Sequence, residues 1–108
     1  MPRRRSEILA LKQDLAAPVV RLLKGWEQHS AAHRIGDEQP RVSDLRLGRL
    51  DRFSVMRLMT FLARLGQDVE IRVLPAPWRL GDRQPRGRFI VIDDALSPRP
   101  TSPPRKSA

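Results

Sequence analysis

The sequence predicts a mainly α-helical domain that ends in one or two β-strands. Apolar residues recur at spacings of three and four over most of residues 6–65, and glycines fall where these periodic segments end. Only residues 68–74 alternate strictly between apolar and other side chains. A chain of 108 residues, 40% of them apolar, can bury one modest core. We therefore expect a single bundle of about five helices followed by the strands.

The first helical segment covers residues 6–26, and Ser6 can cap its start. Pro18 interrupts it, because an interior proline removes a backbone hydrogen bond and clashes with the preceding turn. We expect either a kink at Pro18 or a second helix that begins near it. The apolar side chains at helical spacing in this segment are Ile8, Leu11, Leu15, Val19, Leu22, Leu23 and Trp26.

Two short helices are predicted next, at residues 28–35 and 39–47. Gly36 lies between them, where a residue in the left-handed conformation can turn the chain. Pro40 is tolerated in the first turn of the second helix. Two short helices joined by a tight turn form a helix-turn-helix, whose second helix can enter the major groove of DNA.

The remaining pattern predicts one more helix and the strands. Ser54 caps a helix with apolar residues at spacings of three, four and three, and Gly66 ends it. Residues 68–74 predict a strand that Pro75 ends, with Val69, Ile71 and Val73 on one face. This strand could pair with a second one at 88–92 as a hairpin, or it could be an exposed edge that pairs with another chain.

Composition divides the chain into four parts. These are a basic flexible arm at 1–5, the helical domain with its strand at 6–74, a Pro/Arg-rich loop with a possible second strand at 75–96, and a disordered tail at 97–108.

The charge predicts a polyanionic partner such as nucleic acid. The net charge is +9, and 18 of the 21 basic residues are arginine. Residues 39–58 carry +3, as do the segments 1–5, 79–88 and 99–106, whereas residues 6–38 carry −1. Positive charge is therefore concentrated on the second short helix and on the flanks. Compositional bias and solubilising tails are the alternative explanations.

Enzymatic chemistry and cofactors are not expected. The absence of cysteine excludes disulfides, thiolate metal sites and a cysteine nucleophile. His29 and His33 are one helical turn apart but lack the further ligands of a metal site, so we expect a surface pair. No catalytic ordering of side chains is present. No continuous apolar run predicts a secretory signal or a membrane span, so the expected location is the cytoplasm.

The run from Trp26 to Val73 contains WEQHSAAHRIG, QPRVSDLRLGRLDRFSVMRLMTFLARLG and DVEIRV. It resembles the Xre/Cro helix-turn-helix family, and more closely its small HigA-like antitoxin branch. The matching positions are Gln28, Ala32, Gly36, Gln39, Pro40, Val42 and Ser43. The resemblance implies a sequence-specific transcriptional regulator, the antitoxin of a type II toxin-antitoxin pair. Such a protein would repress its own operon and neutralise a toxin, typically a RelE-like ribonuclease.

Asp37 and Glu38 depart from this pattern, because the family has a small apolar residue and then Ser or Thr at these positions. We expect a looser turn and weaker DNA binding. This favours, as the alternative, a protein-binding inhibitor with weakened or lost DNA reading. An RNA-associated protein is a third possibility, but aromatic residues that could stack on bases are only 5% of the chain.

The candidate site residues fall into three groups. Side chains that can reach base edges or position the reading helix are Gln28, Gln39, Arg41, Ser43 and Asp44. Phosphate contacts are expected from Arg46, Arg49 and Arg52, with the basic arm Arg3–Arg5 reaching the adjacent backbone or minor groove. A dimer or partner interface is expected at Val69, Ile71, Val73 and Trp78, together with the helix at 54–65. Ordinary solvated surface is the alternative for each group.

Overall fold

A computed structural model describes residues 3–94, apart from the side chains of residues 3–6. It contains four helices: α1 at Arg3–Leu22, α2 at Gln28–Ile35, α3 at Gln39–Leu47 and α4 at Val55–Arg64. The described residues contain no β-strand. The prediction of a mainly α-helical helix-turn-helix fold is therefore confirmed, but the fifth helix and the C-terminal strands are not observed.

The structure has four helices instead of five because α1 continues through Pro18 and does not divide there. Pro18 is buried next to Val19, on the side of α1 that faces the core. The carbonyl that loses its helical partner belongs to Asp14, an exposed residue. The helix also begins at Arg3, inside the segment predicted as a flexible arm; residues 1 and 2 and the Arg3–Arg5 side chains lie outside the described residues.

One apolar core joins the four helices. Helix α1 packs on α4, α2 packs on α3, and both pairs meet across the centre. Phe53, in the loop before α4, packs edge-to-face on Phe61 with ring centroids 5.8 Å apart. The buried apolar residues are Leu15, Ala16, Val19, Leu23, Ala31, Ala32, Ile35, Val42, Leu45, Leu50, Phe53, Leu58, Phe61 and Leu62.

The start of α4 follows the sequence prediction. The Ser54 side chain accepts a hydrogen bond from the Arg57 backbone N–H at 3.0 Å, which satisfies one of the free donors in the first turn. Leu58, Phe61 and Leu62 are buried on one face of this helix. The exposed opposite face carries Met56.

The segment after α4 forms neither helix nor strand through residue 93. Residues 68–74 do not pair with 88–92, so the hairpin predicted as one alternative is not formed. A strand requires a neighbouring ladder, and Ile71 and Val73 are 75% and 92% exposed instead. The far end of the segment is attached to the bundle, because Arg21 binds both carboxylate oxygens of Asp93. None of the four described helices combines the length and the apolar character of a transmembrane span.

Candidate nucleic-acid interface

The turn between α2 and α3 has the geometry that the sequence predicts. Gly36 has φ 75° and ψ 39°, a left-handed conformation that favours glycine. Its N–H donates to the Ala32 and His33 carbonyls at 2.9 and 3.2 Å, and the Asp37 N–H donates to the Ala32 carbonyl at 2.9 Å. These bonds satisfy carbonyls at the end of α2 and reverse the chain into α3.

This reversal brings the N-terminal ends of α2 and α3 together. Gln28 donates from Nε2 to the Gln39 carbonyl at 3.3 Å, and the Gln39 amide contacts His29 Nδ1 at 3.3 Å. Gln39 and His29 are exposed, whereas Gln28 is half-buried. The structure therefore places the two predicted glutamines at one polar end of the motif. His29 was not predicted to belong there, and its contact ten residues away leaves no signal in local spacing.

Glu27 is a second residue of this polar end that the sequence reasoning missed. It is the N-cap of α2, and its Oε1 accepts from the Ser30 N–H at 3.3 Å and from Ser30 Oγ at 3.1 Å. These hydrogen bonds, the backbone one first, lower the pKa of Glu27 below its ordinary value. The cap is thus ionised at neutral pH and lies at the positive end of the helix dipole. The acidic residue directly before Gln28 was the available sequence signal.

Helix α3 carries the other three predicted base-reading residues, but they are only partly accessible. Arg41 and Asp44 form an ion pair of 3.1 Å, with side chains 21% and 18% exposed. Arg41 Nε is buried and finds no hydrogen-bond partner among the described residues. Ser43 is half-buried. Gln39 is therefore the most accessible of the predicted α3 reading residues, and Arg41 already holds an ion pair with Asp44.

The three predicted phosphate contacts occupy different environments. Arg46 donates to the Leu23 and Trp26 carbonyls at 3.0 and 2.8 Å, so it fixes the loop that follows α1. A cation at these carbonyls also lies favourably near the C-terminal end of α1. Arg49 and Arg52 are exposed in the connection between α3 and α4. All three arginines are exposed, but Arg49 and Arg52 lack the carbonyl contacts that hold Arg46.

Asp37 is accommodated rather than left as an unpaired charge in the turn. Its side chain is only 7% exposed, and its Oδ2 forms an ion pair with Arg57 of α4. Its Oδ1 accepts from the Glu38 N–H at 2.8 Å. Glu38 is the N-cap residue of α3 but makes no capping hydrogen bond with its own side chain in the described chain. The Asp37 carboxylate thus binds both Arg57 and the first backbone N–H of this region, while the Glu38 carboxylate stays exposed.

Comparison with known proteins agrees with this geometry. A family described as "Helix-turn-helix domain" matches residues 2–74. The chain belongs to this family. A solved structure of a candidate transcriptional regulator of the XRE family is similar, with 35% sequence identity and a TM-score of 0.70. The match covers 82% of this chain and 98% of that chain. The comparison with curated proteins found no match.

These similarities confirm the predicted Xre-type helix-turn-helix family, and they support DNA binding and transcription regulation as the class of function. The finer resemblance to the antitoxin branch stays a prediction. No group of three or more potential metal ligands is found among the described residues.

Proposed function

We propose that this protein is a sequence-specific DNA-binding transcriptional regulator that acts as a homodimer on its own promoter in the cytoplasm. The observation that carries the proposal is the helix-turn-helix itself, with Gln28 and Gln39 joined at its polar end. Helix α3 enters the major groove, and the exposed Gln39 amide reads an adenine through a donor and an acceptor. Arg49 and Arg52 bind phosphates and add most of the salt dependence.

Arg41 has a conditional part in this proposal. Guanine O6 and N7 offer the two acceptors that a guanidinium prefers, so a guanine in the operator can replace Asp44 as the partner of Arg41. The exchange costs the existing ion pair, which offsets part of the gain. Gln39, whose side chain is exposed before binding, therefore contributes more to base discrimination than Arg41.

The dimer forms through residues 68–74, whose pattern complements itself. In an antiparallel pairing centred on Ile71, Val69 of one copy lies opposite Val73 of the other. In the same register Glu70 of one copy lies opposite Arg72 of the other, which gives two cross-strand ion pairs. The exposure of Ile71 and Val73 in the isolated chain agrees with a segment that gains its strand partner from a second copy. Two-fold symmetry then matches a palindromic operator.

We further propose that the protein is an antitoxin. Its neutralising surface is the exposed apolar part of the segment that follows the dimer strand, in which Trp78 is 64% and Phe89 66% exposed. Exposed apolar side chains in such number are typical of an interface with another protein. The partner expected from the resemblance is a toxin such as a RelE-like ribonuclease. The alternative is an inhibitor without DNA reading, which Asp37 and Glu38 motivate; the ion pair of Asp37 with Arg57 removes one of these two reasons, and Glu38 stays exposed.

Operator binding by matched glutamine variants tests the DNA-reading part. Gln39→Ala should weaken binding to the operator by about 1–3 kcal/mol. It should also reduce the preference for adenine at the one base pair that Gln39 reads. Gln67→Ala is the control, since Gln67 is exposed beyond α4 and hydrogen-bonds only locally, to the Leu65 carbonyl. Equal binding of both variants to a set of singly substituted duplexes contradicts the assignment of Gln39.

Co-expression tests the antitoxin part separately. The product of the gene adjacent to this one is expressed alone and then with this protein. Growth arrest relieved by the wild type, but not by a Trp78→Asp variant, is the expected result. A neighbouring product that is harmless, or that this protein neither binds nor neutralises, contradicts the antitoxin role and leaves DNA regulation standing.

A further inference from the structure

In the family that this sequence resembles, a small apolar residue follows the turn glycine. Here that position holds an aspartate, which forms an ion pair with a residue of α4. The pair joins Asp37 to Arg57, twenty residues apart in the chain. The Asp37 side chain is 7% exposed and that of Arg57 44% exposed, so the carboxylate is covered while the guanidinium still meets solvent. Arg57 also lies 6.0 Å from the centre of the buried Phe53 ring, which restricts its position.

Asp37 connects three helices through separate groups. Its N–H donates to the Ala32 carbonyl of α2, its Oδ1 accepts from the Glu38 N–H at the start of α3, and its Oδ2 binds Arg57 of α4. Arg57 is therefore connected through Asp37 to the first backbone groups at the start of α3.

Of the three salt bridges found among the described residues, the one between Asp37 and Arg57 joins α4 to the start of α3. The two helices make no close backbone approach in the described structure, since α3 packs on α1 and α2. One further arginine of α4, Arg64, donates to the Ile35 carbonyl at 2.8 Å and lies over Gly36. Arg64 holds the end of α2, whereas Arg57 holds the first residue after the turn glycine. Beside the shared apolar core, the pair with Asp37 is thus a polar link from α4 to the N-terminal end of α3.

We propose that Arg57 is a positioning residue for DNA reading, which sets the start of α3 through Asp37 without itself contacting DNA. This proposal rests on the proposed DNA-binding function. The difference in burial makes the pair asymmetric. Removing Arg57 leaves a covered carboxylate without its cation beside the reading helix, whereas removing Asp37 leaves an arginine that can turn into water.

The test is a double-mutant cycle on operator affinity. Arg57→Ala is expected to lower affinity for the promoter duplex about tenfold, and Asp37→Ala less. The double variant is expected to bind like Asp37→Ala, since it no longer contains an Asp37 carboxylate without a cationic partner. Arg57→Lys keeps a cation and should restore most of the affinity. Arg83→Ala is the charge control, because Arg83 is an exposed residue of the C-terminal loop.

Two readouts separate positioning from the other roles of an arginine. A positioning residue changes the preference for promoter over scrambled duplex and leaves the salt dependence unchanged. A direct phosphate contact weakens both duplexes equally and lowers the salt slope by about one. Circular dichroism at the binding temperature must show all variants fully folded, so that lost stability does not pass for lost affinity.

The outcomes that overturn the proposal are distinct from failure of the proposed function. Equal weakening on both duplexes makes Arg57 a phosphate contact. Unchanged affinity in Arg57→Ala, or a double variant no better than Arg57→Ala, removes the coupling through Asp37. If the wild type itself shows no preference for the promoter duplex, the proposed function fails and the positioning role falls with it. The wild-type measurement is therefore made first.

Discussion

The turn glycine allows a quantitative prediction, because the chain contains a matched control for it. Gly36 and Gly48 both end helices with φ 75°. A Cβ added at Gly48 meets no atom within 4 Å, whereas one added at Gly36 overlaps the Arg64 guanidinium. Gly48→Ala therefore measures the cost of the left-handed conformation alone. Gly36→Ala measures that cost together with displacement of Arg64 from the Ile35 carbonyl.

The expected magnitudes follow from these two terms. Placing alanine in the left-handed region costs about 1–2 kcal/mol of unfolding free energy. Loss of a hydrogen bond from a charged donor adds about 1–2 kcal/mol, which a flexible arginine can partly recover in water. We expect Gly36→Ala to be less stable than Gly48→Ala by about 1 kcal/mol. Urea unfolding measures the difference, provided that the dependence of the unfolding free energy on urea concentration (m) is the same for both variants.

A second pair of variants tests the cause of that difference. In an Arg64→Ala background the guanidinium is absent, so the two glycine substitutions should cost the same. Equal destabilisation by Gly36→Ala and Gly48→Ala in the wild-type background refutes the argument. A difference that persists without Arg64 refutes its attribution to the Arg64 contact.

Three further predictions concern the dimer, the α2 cap and Arg46. Glu70→Arg should weaken dimerisation in sedimentation velocity, and adding Arg72→Glu should restore it, because both cross-strand pairs reform; a double variant as weak as the single one contradicts the register. Glu27→Ala should lower the melting temperature at pH 7. Folding lowers the pKa of Glu27 from its ordinary value of 4.5. The difference in melting temperature is therefore fully present above pH 4.5 and is lost as the pH falls through the lower pKa of the folded state. A difference that does not depend on pH contradicts the ionised cap. Arg46→Ala should cost about 1 kcal/mol in urea unfolding and leave the salt slope of DNA binding unchanged, and a slope lowered by about one would instead assign Arg46 to a phosphate.

Local chemistry explains which parts of the fold were predictable. Gly36 and Ser54 act on groups within a few residues, so the turn and the α4 cap follow from the sequence alone. Pro18 misled the helix count, because burial of its face of α1 outweighs the missing hydrogen bond. The alternating pattern at 68–74 indicates a strand but cannot indicate its partner. In the described chain residues 68–74 form no strand, because no neighbouring strand pairs with them.

The placement of the candidate residues on the helix-turn-helix was predictable, but the contacts of its arginines were not. Each arginine side chain has several possible partners, which the fold brings close although they are far apart in the sequence. Arg46 binds carbonyls 20 and 23 residues away, and Arg57 binds Asp37 from α4. Arg41 instead finds Asp44 one turn along α3. Asp37 was expected to loosen the turn, and only its partner in α4 explains how a carboxylate is held there.

Fluorescence anisotropy with a duplex from the gene's own promoter and a scrambled duplex, at two salt concentrations, tests the central claim most directly. A specific regulator should prefer the promoter by about a thousandfold or more, and the preference should persist at the higher salt concentration. Equal affinity for both duplexes, lost together as salt rises, would show only the attraction of a chain of charge +9 for a polyanion and would contradict the account.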